Sequence, residues 1–205
     1  MSQVTPVVFV VDDDVSVRES LEALIRQAGW QPQTFASARE FLTHPLSLTP
    51  SCLVLDVSLP DLNGLELQSR IAAGGIDMPI IFITGYGDVP MTVQAMKAGA
   101  FDFLTKPLNN DVLLAAIENA IERSETILKQ ELEIESLRNR YMSLSRREQE
   151  VMALVVTGLM NKQVGGKLGI SEITVKAHRG QVMRKMQARS FADLVKMAGS
   201  LGLGR

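Results

Sequence analysis

Four short apolar runs, each ending on a polar residue of a reactive type, restrict what this chain can fold into. VVFVV (7–11) leads into Asp12-Asp13, CLVL (52–55) into Asp56, IIFI (80–83) into Thr84, and FDFLT (101–105) into Lys106. The runs are continuous rather than alternating, as in strands covered on both faces. A weaker run lies near 30–35, and amphipathic segments separate them. One segment covers Ser16 to Ala28 before Gly29, a natural residue just past a helix end. Ser37 is placed to cap a short helix through Phe41-Leu42. Asn63 to Ala73 and Pro90 to Ala98 fit two more, and a fifth starts near Asn110. Five such units predict an α/β, doubly wound, five-stranded parallel sheet. All four polar run ends then lie at its carboxyl edge, where open α/β sheets bind ligands.

The fifth helix has no stop signal. From Asn110 to about Tyr141 there is neither Gly nor Pro, and Leu114, Ile117, Ile121, Leu128, Leu132 and Leu137 mark an apolar stripe. A long linker helix is expected, with helix-to-helix pairing beyond Arg123. The remaining sequence reads as four short helices. Ser145-Arg146-Arg147-Glu148 is a capping box opening the first, through Val155 to Gly158. Asn161 is expected to cap the second, ending at Leu168-Gly169; Ser171 caps the third, to about Met186; the fourth spans Ala192 to Ala198. Two short helices joined by a Gly turn, the second basic, form a helix-turn-helix pattern. The organisation expected is 1–123 as one domain, 124–142 as a helical linker and 143–205 as an all-α domain.

Charge divides the chain the same way. Residues 1–108 carry a net −6, 109–140 a net −3, and 141–205 a net +7. Only the rear is suited to a polyanion. The longest apolar runs are far too short to span a bilayer, and MSQVTPVVFVVDDD lacks a basic signal-type start. The one cysteine, Cys52, excludes an intrachain disulfide and reads as a small core residue. A cytoplasmic setting away from membranes is expected.

Three carboxylates, a hydroxyl and an amine at one edge suit a divalent metal and a phosphoryl group. Asp56 is the natural nucleophile, forming an acyl phosphate. The transition state spreads charge over phosphoryl oxygens and needs electrostatic stabilisation. Asp12, Asp13 and Asp56 supply oxygen ligands for Mg²⁺ or Mn²⁺, Lys106 a cation, and Thr84 a hydroxyl. Taken singly, each has an ordinary explanation: a strand-end Asp caps the next helix, Thr84 starts a turn, Lys106 lies on the surface. Asp14 is expected to do no more than cap or face solvent. The argument for a site rests on the four coinciding.

The stretches VVDDD, LVLDVSLPDLNGLEL, IIFITGYGD and AMKAGAFDFLTKP resemble the receiver domain of two-component response regulators, a flavodoxin-like fold, over residues 7 to about 123. The resemblance implies that Asp56 accepts phosphate from a sensor histidine kinase. It implies Mg²⁺ held by Asp13, Asp56 and the backbone carbonyl of Ser58, with Asp12 in support. It further implies that Thr84 moves toward the phosphoryl group, that Phe103 swings inward with it, and that the Lys106–Pro107 bond is cis. By pattern alone Phe101 and Phe103 share a strand face and are not separable. Ser58 and Tyr86 flank the path of hydrolytic water by the same resemblance.

On the third C-terminal helix, at about 100° per residue, Val182 and Met186 fall close to Val175, so this face packs inward. Ile173, Ala177, Gly180 and Arg184 point the other way, with Thr174, Lys176 and Gln181 on the flanks. Arg179 falls near the inward face, its head expected to reach a phosphate past the core edge. LSRREQEVM, GLMNKQVGGKLGIS and ITVKAHRGQVMRKM resemble the LuxR-type helix-turn-helix, over about 143–200. With the receiver, the likeness is to the FixJ-like branch. It implies that 172–186 is the recognition helix, with Lys176, Ala177 and Gly180 facing bases and Arg184 on the same outer face. Lys162, Thr174, Arg179 and Lys185 are then phosphate contacts. Gly165-Gly166 inside the scaffold helix costs roughly 1 kcal/mol per residue in propensity, which predicts a marginal domain.

Together these readings describe a phosphorylation-activated transcription regulator, not an enzyme. The resemblance implies that phosphorylation drives dimerisation through the fourth helix and fifth strand or unmasking of the DNA domain, followed by promoter binding and work with RNA polymerase. The competing reading is a phosphorelay or phosphate-sink receiver whose basic domain binds a partner other than DNA.

Overall fold

The computed structural model describes residues 5–46, 48–85 and 89–203. Its elements run β1 (Val7–Val11), α1 (Val15–Gln27), β2 (Gln31–Phe35), α2 (Ala38–Thr43), β3 (Ser51–Asp56), α3 (Gly64–Ala73), β4 (Ile80–Thr84), α4 (Val89–Lys97), β5 (Asp102–Thr105) and α5 (Asn110–Met142). Then follow α6 (Arg146–Val155), α7 (Asn161–Leu168), α8 (Glu172–Met186) and α9 (Phe191–Ser200). The chain forms two compact units, Met1–Lys129 and Gln130–Arg205, with the division inside α5.

In the first unit the strands pair in the order β2-β1-β3-β4-β5, every pair parallel. Alternation along each strand feeds two cores. Phe9, Leu53, Leu55 and Phe82 pack with Phe41, Leu67, Ile71 and Ala95 on the side of α2, α3 and α4. Val8, Val10, Val54, Ile81 and Ile83 pack with Leu21, Ile25, Leu113 and Ile117 on the side of α1 and α5. Covering both faces is why the strands read as unbroken apolar runs. Cys52 lies in the second core, fully buried, and burial pushes its thiol up to about 12.

Several helix starts follow directly from their capping side chains. Asp14 accepts from Ser16 N, Ser37 from Glu40 N, Asn63 from Leu65 N and Ser171 from Thr174 N. Ser145 and Glu148 form the expected reciprocal box. Asn161 does not cap α7. Met160 is the cap residue, and Gln163 Oε1 accepts its N–H at 2.9 Å. Asn161 is instead the first helical residue, its side chain turned to Arg179.

The α5 stripe is rotated from the expected one. Leu113, Ala116, Ile117, Ala120, Ile121, Ser124 and Ile127 are buried, while Leu114 and Leu128 are only partly so. Docking on the sheet selects that face, and Ser124 Oγ accepts Ser51 N at 3.0 Å. Burial of α5 thus continues past Arg123. Leu132 is 58% exposed, and Leu137 and Tyr141 pack on the core of the second unit. That core joins Val151, Met152 and Val155 of α6 to Val164, Val175, Val182, Met186 and Leu194. Gly165 is required there: a Cβ would lie 2.6 Å from the Ile170 carbonyl oxygen. The turn into α8 passes too close to α7 for any side chain, so this glycine answers a packing constraint. A Cβ on Gly166 meets nothing within 4 Å. Among the described residues no helix is long and apolar enough to cross a membrane.

Candidate functional site

The register of the parallel ladders brings the four strand ends together. Val11 pairs with Leu55, so Asp12 and Asp56 follow side by side; Asp56 pairs with Ile83, placing Thr84 one step on; Thr84 pairs with Thr105, directly before Lys106. Adjacent strands lie about 4.8 Å apart, which sets the scale of the site. Asp12, Asp56 and Thr84 are buried, and Asp13 is exposed. One carboxylate oxygen from each of Asp12, Asp13 and Asp56 lies within 4.8 Å of the others.

Lys106 Nζ donates to Asp12 Oδ2 at 2.8 Å and to Asp56 Oδ2 at 2.7 Å. Burial disfavours its ammonium, but hydrogen bonds to the two carboxylates outweigh this and hold Lys106 above the ordinary lysine value. Burial raises Asp12 above the usual aspartate range, against the opposing pull of Lys106 and the Asp14 N–H. Asp12 Oδ1 accepts Asp14 N at 2.9 Å, and Asp56 Oδ1 accepts Ser58 N at 2.8 Å. Each buried carboxylate is therefore fixed by one backbone donor and one shared cation. The donor set is oxygen only, which suits a hard divalent cation such as Mg²⁺ or Mn²⁺.

Gly64, which sequence reasoning passed over, shapes this edge. A Cβ there would lie 2.6 Å from the Asp56 carbonyl oxygen and 3.0 Å from Val57 Cα. Gly64 N also donates to Val57 O at 3.0 Å, so α3 starts against the turn that presents Asp56. Gly64→Ala is expected to displace that turn and cost about 1–3 kcal/mol, as overpacking does. Urea unfolding followed by Trp30 fluorescence checks this; Trp30 is the sole tryptophan and packs on the first unit's second core.

The Lys106–Pro107 bond is cis. Phe101 and Phe103 do not share a face. Phe103 packs on the core containing Phe82, ring centroids 6.1 Å apart, while Phe101 packs on the opposite core. Alternation holds only inside a strand, and Phe101 precedes the first residue of β5 in a bend. Tyr86 lies outside the described residues.

In the second unit, α8 buries Val175, Val182 and Met186. Thr174, Lys176, Ala177, Gly180 and Arg184 are exposed on it, as is Lys162 on α7. Three of the expected phosphate contacts have internal partners: Thr174 Oγ1 lies 2.8 Å from Ser171 Oγ, and Arg179 and Lys185 are tied to other helices. Arg179 donates to Asn161 Oδ1 at 2.7 Å and lies 5.1 Å from the Phe191 ring centroid, tying α8 to α7 and α9. Lys185 Nζ donates to Glu148 Oε2 at 2.6 Å, and Glu148 is buried. That bond to Lys185 is the main cause holding Glu148 below its ordinary range.

Residues 8–118 match the response regulator receiver domain family, and residues 142–198 match the family of bacterial regulatory proteins of the luxR type. The chain is a two-component response regulator. Nodulation protein W of Bradyrhizobium diazoefficiens is 52% identical over 96% of this chain and 87% of its own length. The transcriptional regulatory protein FixJ of the same organism is 42% identical over 96% of both chains. Among solved structures, the response regulator StyR is 46% identical with a TM-score of 0.83, covering 96% of this chain and 99% of its own. Full-length FixJ from B. japonicum is 42% identical with a TM-score of 0.58, covering 96% of this chain and 97% of its own. These matches place this response regulator in the FixJ-like branch, a family of DNA-binding transcription regulators rather than enzymes. The unit holding the acidic edge is its receiver domain, and the unit built around α8 is its DNA-binding domain.

Proposed function

We propose that Asp56 is a phosphoacceptor whose charging by a sensor histidine kinase switches the DNA-binding domain. The observation that carries this is the Asp12–Lys106–Asp56 bridge beside Asp13: three carboxylates and one cation around the single strand-end Asp of β3. The Asp56 oxygen attacks phosphorus, the phosphorus–nitrogen bond to the kinase histidine breaks, and the imidazole leaves. An acyl phosphate remains. Asp12, Asp13, Asp56 and the Ser58 carbonyl would hold Mg²⁺, which supplies neutralising charge to the phosphoryl oxygens. Lys106, already on Asp56 Oδ2, meets a phosphoryl oxygen from the same side. Thr84 bonds the new group and Phe103 follows it inward. The cost of reorganising the edge is small because its charged groups are already in place.

The output is dimerisation through α4 and β5, followed by promoter binding as a pair of half-sites and contact with RNA polymerase. Lys176, Ala177, Gly180 and Arg184 face bases, and Lys162 and Thr174 face phosphates. Arg179 and Lys185 reach phosphate only to the extent that their links to Asn161 and Glu148 allow. The setting is cytoplasmic. Sedimentation of the full-length protein with Mg²⁺ tests the switch, with and without beryllofluoride as phosphoryl mimic. Wild type is expected to pass from monomer to dimer, and Asp56→Asn to stay monomeric. An unchanged wild type sinks dimerisation as the output; an Asp56→Asn variant that still dimerises sinks Asp56 as the switch.

A further inference from the structure

Ile173 is the second residue of α8 and is 83% exposed. It lies opposite the buried Val175, Val182 and Met186. Helical geometry sets Ile173, Ala177 and Gly180 in one outer stripe, at i, i+4 and i+7, ending at the exposed Arg184. No packing constraint forces the glycine: a Cβ on Gly180 would meet nothing within 4 Å. The centre of the stripe is thus apolar and low, with Ile173 the one large projection from it. Exposed Lys176 and Thr174 flank the stripe, and residues 141–205 carry a net +7.

That combination fits one feature of duplex DNA. Major-groove base edges present hydrogen-bonding groups to polar side chains and a single apolar group, the ring methyl of thymine. The first residues of a recognition helix reach the base edges, while phosphate contacts fix its register on the duplex. We infer that Ile173 is a specificity residue that packs on the thymine methyl group at one position of each half-site. This rests on the assignment of α8 as the recognition helix. Ala177 and Gly180 leave the groove floor accessible beside it, and Arg184 supplies the polar readout at the far end of the stripe.

The test is selection of binding sites from a randomised duplex pool by the full chain with beryllofluoride and Mg²⁺. It is followed by replacement of each selected thymine with deoxyuridine, which removes the methyl and nothing else. Loss of one apolar contact of this size is expected to weaken wild-type binding about four-fold at a single thymine per half-site. Ile173→Ala is expected to bind its DNA with the same salt dependence and to be indifferent to that replacement. Its melting temperature should match wild type, because the side chain is exposed. If wild type shows no sensitive thymine, or Ile173→Ala keeps the same sensitivity, the assignment of Ile173 is overturned. If the pool yields no enriched site at all, α8 is not reading DNA and both readings fall together.

Discussion

Lys106→Met lowers the stability of the receiver domain by roughly 3 kcal/mol at neutral pH in the absence of divalent cations. The reason is geometric. Lys106 Nζ is shared between Asp12 and Asp56, both buried, and its removal leaves two carboxylates facing each other with no cation between them. Losing one partner of a buried charge network costs more than the network itself contributes, because the remaining charges stay desolvated. Part of that cost is relieved by protonation of Asp12, whose carboxyl burial has already raised. Methionine retains the stem volume, so packing loss is minor. Trp30 fluorescence during urea unfolding reads the change. Mg²⁺ should then stabilise the variant more than wild type, since it returns positive charge where two carboxylates now repel. Equal Mg²⁺ stabilisation of both proteins would mean that the acidic edge does not hold the ion.

Glu148→Gln weakens the DNA-binding domain by about 2 kcal/mol at pH 7, the scale of a hydrogen bond to a charged group. Glu148 Oε2 accepts from Lys185 Nζ at 2.6 Å and from Ser145 N at 2.7 Å. It links the start of α6 to the end of α8. Glutamine keeps the shape and a cap acceptor but not the charge. The pH dependence has a definite sign. Glu148 is held below its ordinary value of 4.5, first by the Lys185 bond. Its contribution is complete above that value and is lost as pH falls through the lower, folded one. The gap between wild type and variant should therefore be full at pH 7 and close below pH 4.5. Hydrogen exchange of α6 and α8 amides measures it locally; a gap that persists unchanged into acid would remove the ion pair as its cause.

Much of the architecture is legible in the residues themselves. Unbroken apolar runs forecast strands covered on both faces, and Asp14, Ser37, Asn63, Ser145 and Ser171 mark helix starts through local chemistry that depends on two or three neighbours. The acidic edge is legible too, because a parallel sheet carries every strand's end to the same side. What sequence leaves hidden depends on distant chain segments meeting. The internal partners of Arg179 and Lys185, Asn161 and Glu148, come from other helices. Gly64 and Gly165 are set by backbone approaches across loops. Phe101 and Phe103 part company because β5 begins one residue later than its apolar pattern.

The acidic edge draws on residues from Asp12 to Lys106, and on three strands that are not sequential neighbours of one another in the chain. No shorter stretch holds both buried aspartates and the cation between them. A chain still emerging from the ribosome, with β5 not yet laid beside β4, has aspartates but no site. On the role proposed for Asp56, competence to receive a phosphoryl group thus arrives only when the sheet is complete, without any separate safeguard.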